Sequence, residues 1–192
     1  ELDALGAAES EPSGSLRVAT VYSLGLHSLT EAMTRFLSEY PKVRLNVEYL
    51  RTDRIYDALL SGAIDCGVVA CPRARAGVEV IPLSDEPLVL VAAPSDPLAG
   101  EVYLSAARLA GGRLVAFDPR IPTRGLIDSW LSASGVEMSV VHAFDNIETI
   151  KRVVEIGQGV AIVPEPTVRR EVRDGTLWAA PLPGAPLTRP TG

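Results

Sequence analysis

The chain has 192 residues, 47% of them hydrophobic, so it can bury a core and is not a disordered segment. Its 18 Lys and Arg against 24 Asp and Glu give a net charge of −6, which excludes a broad phosphate-binding surface on this piece. No apolar run approaches the roughly 18 residues of a membrane-spanning helix, and Glu1-Leu2-Asp3-Ala4-Leu5 has neither the basic nor the apolar part of a secretory signal.

Glu1–Gly14 is acidic, small and Pro/Ser/Gly-bearing, and reads as a frayed tail or the end of a linker. Leu16–Thr20 predicts a first strand, followed by the turn Val21-Tyr22-Ser23-Leu24-Gly25. Leu26, Leu29, Met33, Phe36, Leu37 and Tyr40 then form one stripe at helical spacing. Ser28-x-x-Glu31 predicts a capping box near its start, and Pro41 ends the helix. Leu45–Tyr49 alternates apolar and polar residues, as a strand with one wet face does. Thr52 or Asp53 is expected to cap a second helix ending at Gly62, and Ile64–Val69 to form a buried strand.

Leu88–Ala93 is continuously apolar and predicts a central strand, with Leu114–Phe117 as another. Thr123 is expected to cap a helix bearing Leu126, Ile127, Trp130 and Leu131. Val140–Phe144 predicts a strand, and Ile147, Ile150, Val153 and Val154 a helix closed at Gly157. Val160–Val163, a short basic helix at Val168–Arg173 and a strand at Leu177–Ala180 complete the pattern. The strand–helix alternation predicts an α/β fold with parallel sheet and helices on both faces.

Two cysteines, Cys66 and Cys71, lie in or beside one apolar strand and are expected to be small buried hydrophobes. With only two histidines beside them they make a poor metal set, so no metal or other cofactor is expected. The thiols point to a reducing, cytoplasmic compartment. Motifs for a serine nucleophile elbow, a phosphate-cradling loop, a zinc helix or a dinucleotide fingerprint are missing from the sequence. Gly157-Gln158-Gly159 joins a helix to a strand, the wrong order for phosphate binding.

What carries chemistry is a set of polar groups at the carboxyl ends of strands, where open α/β sheets bind small molecules. Thr20, Tyr22, Ser23 and Leu24 follow the first strand, Thr52 and Asp53 the second. Thr123 and Arg124 open a helix, and Asp145 and Asn146 lie between strand and helix. Each stands near a helix N-terminus, which favours an anion or a carboxylate. An enzyme would need an acid–base pair, for which Asp145 with His27 or Tyr22 is the only combination in view.

Leu16-Arg17-Val18-Ala19-Thr20, Phe36-Leu37-x-x-Tyr40-Pro41, Leu59-x-x-Gly62-x-x-Asp65, Pro87-Leu88-Val89-Leu90-Val91, Asp96-Pro97-Leu98 and Val154-x-x-Gly157-x-Gly159-Val160-Ala161-x-x-Pro164 follow one another over Leu16 to Pro183. In that order and spacing they resemble the effector-binding domain of LysR-type transcriptional regulators. The resemblance implies a type II periplasmic-binding-protein-like fold, two α/β subdomains joined by two crossover strands. It places residues 1–15 as residual linker, 16–85 plus 164–192 as subdomain I and 86–163 as subdomain II, with crossings near Ser84–Pro87 and Val163–Pro166. It implies a small-molecule effector, anionic or carboxylate-bearing, held by Thr20, Tyr22, Ser23, Leu24, Thr52, Asp53, Thr123, Arg124, Asp145 and Asn146. Asp145 would repel a purely anionic effector unless Arg124 or a ligand cation offsets it. The resemblance further implies a homodimer or homotetramer, formed through the first helix and Leu45–Tyr49, and promoter DNA contacts only through an N-terminal domain not in this sequence. A solute-binding protein of the same fold, or a small lyase or dehydratase, are the alternatives.

Overall fold

The structure, a computed structural model, describes residues 12–101 and 103–192. Alternating side chains let Gly14–Thr20 (β1) and Val43–Tyr49 (β2) pair in parallel, with Leu16 opposite Leu45 and Val18 opposite Val47. Cys66–Val68 (β3) pairs in parallel along the other edge of β1. Residues 1–11 of the expected linker lie outside the described residues, and Gly14 and Ser15 already belong to β1.

Between these strands run Thr30–Glu39 (α1) and Thr52–Leu60 (α2). α2 buries Ile55 against Ala19, Ile64 and Val69, a small core of four fully buried side chains. α1 buries none of its residues, and its stripe leaves Leu37 45% exposed. The helix begins later than its stripe suggests, because Leu24–Ser28 coils into a π-helical turn. Ser28 therefore caps nothing, and its hydroxyl donates to Glu86 Oε1 instead.

The continuous apolar run becomes the central strand Ser84–Ala92 (β4). Its second half lies antiparallel between Ala161–Pro164 (β7) and Trp178–Pro181 (β8), and its first half pairs with Thr188–Thr191 (β9). Arg113–Phe117 (β5) and Ser139–Phe144 (β6) pair in parallel, and Val115 N donates to Val160 O to join them to the β7 side. Ala106–Leu109 (α3), Pro122–Ala133 (α4), Ile147–Glu155 (α5) and Arg169–Asp174 (α6) complete the fold. Leu90, Val91, Ile150, Val154 and Val163 are 0% exposed in this larger core. Full burial of each such side chain contributes about 2 kcal/mol.

Parallel pairing throughout does not hold. Strand–helix–strand units give parallel neighbours within β1–β3 and β5–β6, but β4 reaches from one sheet into the other and runs against its partners. β9 sits between the two: Ala70 bridges Thr191, Leu83 N donates to Thr191 O and Val69 N to Gly192 O. Residues 164–182 differ from the expected division, since Val168, Leu177 and Leu182 pack in the larger core and only β9 returns to the first sheet.

Two further expectations are corrected. β3 is a three-residue strand, Cys66 is exposed and Cys71 half-buried, so neither is a core residue. Desolvation pushes both thiols above their ordinary range, Asp65 adding to it for Cys66, while Arg189 and Arg73 partly oppose it for Cys71. The Gly-x-Gly turn does close α5, at Gly157 with φ 76°. Gly159 has a separate reason: at φ 141° an added Cβ would stand 2.6 Å from the carbonyl oxygen of Arg113.

Candidate effector cleft

β1 ends at Thr20 and the chain turns tightly into the π-helical turn. A Cβ at Gly25 would meet Thr20 at 2.5 Å and Tyr49 at 2.6 Å, so only glycine lets the turn close this far. Thr20 and Leu24 are buried by that closure and hold the turn from behind. Tyr22 and Ser23 face the cleft. Tyr22 stacks on Tyr49, ring centroids 5.1 Å apart, and the Ser23 hydroxyl has no hydrogen-bond partner among the described residues.

The second wall segment comes from β2, through Leu50, Arg51 and Thr52. Arg51 occupies the N-cap position of α2, so neither Thr52 nor Asp53 caps it. Thr52 lines the cleft. Asp53 points to solvent, outside the lining, with Arg51 Nε 3.5 Å from its carboxylate. Opposite stand Phe117, Ile121, Pro122, Thr123, Asp145 and Ile147. Pro122 takes the first position of α4 with Ile121 as N-cap, so Thr123 is no cap either; it is buried and turned to the cleft. The enclosed void is small, about 60 Å³.

The floor is a buried ion pair. Arg189 on β9 and Glu86 on β4 are 2% and 5% exposed, and Arg189 Nε donates to Glu86 Oε2 at 2.8 Å. Arg189 Nη1 reaches Thr123 Oγ1 at 3.4 Å, and Ser28 donates to the other Glu86 oxygen. Burial lowers the Arg189 pKa from the usual guanidinium value and Glu86 opposes the shift; the group stays charged.

Two buried nitrogens on this lining lack a hydrogen-bond partner: Arg189 Nη2 and Arg51 Nε. Nη2 lies 2.6 Å from Glu86 Oε2, yet its N–H bonds do not point at that oxygen, so proximity supplies charge balance without a directed bond. A buried donor left without an acceptor costs about 1–3 kcal/mol. An acceptor oxygen that reached either nitrogen would relieve that cost.

Arg124 and Asn146 do not reach the cleft. The Arg124 guanidinium is held by Asp128 at 2.7 Å and the Phe117 carbonyl at 2.8 Å. Asn146 caps α5 by accepting from Glu148 N at 2.8 Å. Asp145 lines the cleft and is exposed, with Arg120 as the cation that feels its charge. Arg120 is itself bound to Asp118, which it holds at a pKa of about 2.

Beside the cleft, His27 Nε2 stands 2.8 Å from Glu148 Oε1, and Lys151 Nζ 2.9 Å from Glu148 Oε2. Desolvation raises the Glu148 pKa, but hydrogen bonds from His27 and Lys151 outweigh it and bring the pKa to about 2. A carboxylate depressed in the folded state stabilises above its unfolded value, near 4.3, and that contribution is lost as pH falls toward 2. Glu148 is 40% exposed, so solvent screening reduces the effect to about 1 kcal/mol. Between pH 5 and 2, thermal unfolding of the wild type should lose about 1 kcal/mol more than that of Glu148→Gln.

An open α/β sheet pair with a polar cleft at the strand ends is the plan of periplasmic-binding-protein-like effector domains. The comparisons identify the family. The LysR substrate binding domain matches residues 9–192, and the chain belongs to that family. YfiE of Escherichia coli, an uncharacterized HTH-type transcriptional regulator, is 30% identical over 174 residues, 91% of this chain and 59% of YfiE. The chain thus spans less than two thirds of such relatives. The fold superposes on the regulatory domain of Synechocystis CcmR in complex with 2-PG, with TM-score 0.80 and 19% identity over 93% of this chain and 86% of that one. The effector binding domain of QuiR in complex with shikimate gives TM-score 0.80 and 17% identity over 94% and 87%.

Proposed function

We propose that this chain is the sensing part of a LysR-type transcription regulator and that its cleft takes a small effector bearing an oxyanion. The observation that carries this is the pair of guanidinium nitrogens without a directed hydrogen bond, Arg51 Nε and Arg189 Nη2, from two residues on one small lining with the free Ser23 hydroxyl. That domains of this fold from CcmR and QuiR are found in complex with 2-PG and shikimate supports a small-molecule effector. Asp145 at the lip disfavours a second negative charge there.

The chain binds without turnover in this reading. His27 is tied to Glu148 and lies off the cleft lining, so it forms no acid–base pair with Asp145. Two lobes meet at crossings in Ser84–Pro87 and at Leu187–Thr188, the second displaced from Val163–Pro166 by the packing of residues 164–182. Effector acts by preferring one lobe arrangement, since only differential affinity shifts an equilibrium. The regulator assembles as a homodimer or homotetramer through β2 and α1, a helix that buries none of its residues within the described chain. Promoter contacts belong to the remainder of the protein, which works in the cytoplasm. Among the described residues no helix is long and apolar enough to cross a membrane.

A thermal-shift panel of small carboxylates, phosphates and sulfate tests the reading. Ligand at about 100 times its dissociation constant adds roughly 2.7 kcal/mol, on the order of 5–10 °C here. Ser23→Ala should weaken the binding of a hit about tenfold and leave the empty domain within about 0.5 kcal/mol of wild type, because the hydroxyl makes no internal bond. Isothermal titration beside an unfolding curve checks both halves. Lost stability with unchanged affinity would assign Ser23 to the fold alone.

A further inference from the structure

The cleft has two walls, joined by several polar ties. Ser28 to Glu86, Glu86 to Arg189 and Arg189 to Thr123 join a hydroxyl, a buried carboxylate and a guanidinium. One tie differs. His27 lies on the π-helical turn four residues after Ser23, and Glu148 in the first turn of α5, next to Ile147 of the opposite wall. They are 121 residues apart in sequence and 2.8 Å apart in space.

We propose that His27 and Glu148 form a proton-sensitive latch between the two walls of the cleft. With Glu148 ionised, the shared proton sits on Nε2, so the hydrogen bond exists for either charge state of the ring and protonation adds the charge. Glu148 and Glu171 face a single ammonium, the buried Lys151, and an imidazolium completes two cations against two carboxylates. The other charged groups on elements packed near the π-helical turn are Glu165 in the 3-10 turn Glu165–Thr167, Glu31 on α1, Arg152 on α5 and Glu86 bonded to Ser28. Glu165 pairs with Arg169, Arg152 with Glu155 and Glu86 with Arg189, which leaves the balance at His27 to Glu148, Glu171 and Lys151 with Glu31 on α1. Imidazole is the side chain whose charge changes between pH 5 and 8. Mild acid therefore draws the Tyr22–Ser23 turn and the start of α5 together before any effector binds.

Hydrogen exchange of the intact chain at about pH 5.5 and 8.0, corrected for intrinsic rates, tests the latch. Segments 21–28 and 145–151 should gain about fivefold protection at the lower pH, while β4 keeps its own. His27→Gln keeps a donor and cannot charge, and should abolish the difference in both segments. Glu148→Gln should do the same from the other wall. A wild type with equal protection at both values, or a His27→Gln protein that retains the difference, overturns the proposal. The test needs no ligand, so its failure leaves the effector reading untouched.

Discussion

Arg189→Ala is expected to remove about 3–5 kcal/mol of stability, the range measured when one partner of a buried ion pair is deleted. The substitution leaves the buried Glu86 carboxylate with only the Ser28 hydroxyl to satisfy it. It also unties β9 from β4 at the crossing where the two sheets meet. For a chain of this size the loss corresponds to a fall in Tm on the order of 10 °C. Glu86→Leu with Arg189→Met should recover most of it, because an apolar pair of similar volume carries no desolvation penalty. Denaturant curves of the three proteins check both statements. A single variant within about 1 kcal/mol of wild type would mean that water reaches Glu86 and that the floor is wet.

Lys151→Met should cost about 3 kcal/mol, although methionine fills the space of the lysine stem. Lys151 is 3% exposed, and its ammonium bonds the Thr167 carbonyl at 2.9 Å and Glu171 at 2.8 Å beside Glu148. Glu171 Oε2 is already buried without a partner, so removing the cation leaves two carboxylates facing each other beside α6. Lys151→Ala should be worse by the cavity it adds, about 1 kcal/mol or more. If the methionine variant unfolds like wild type while the alanine variant is destabilised, packing and not charge is what Lys151 supplies. Urea unfolding with linear extrapolation separates the two.

These residues show where sequence reading reaches and where it stops. The apolar runs at β4, β7 and α5 are legible because burial on all sides leaves a continuous or helical pattern that no polar residue interrupts. The turn Val21–Ser23 and the position of Asp145 are legible because strand ends in α/β sheets fall at predictable places. The caps are not: Arg51 and Ile121 occupy the N-cap positions without a side-chain bond, so Thr52 and Thr123 are free to face the cleft. Arg189 carries no local signal at all. It stands in the Thr- and Pro-bearing stretch Thr188–Thr191, and only its pairing across 103 residues with Glu86 gives it a role. Arg124 has the reverse history, since a helix N-terminus suggests an anion site while Asp128 four residues on claims the guanidinium.

The account turns on the cleft being the place of recognition. Amide chemical-shift mapping of the chain, titrated with small carboxylates, phosphates and sulfate, tests this most directly. The account predicts that a binding compound moves the amides of Tyr22, Ser23, Thr52, Thr123 and Arg189 saturably, and that Ser23→Ala weakens the response. Saturable shifts confined to the apolar groove between Ile55–Val69 and Val78–Leu83, or a panel that moves no amide at millimolar concentration, would contradict it.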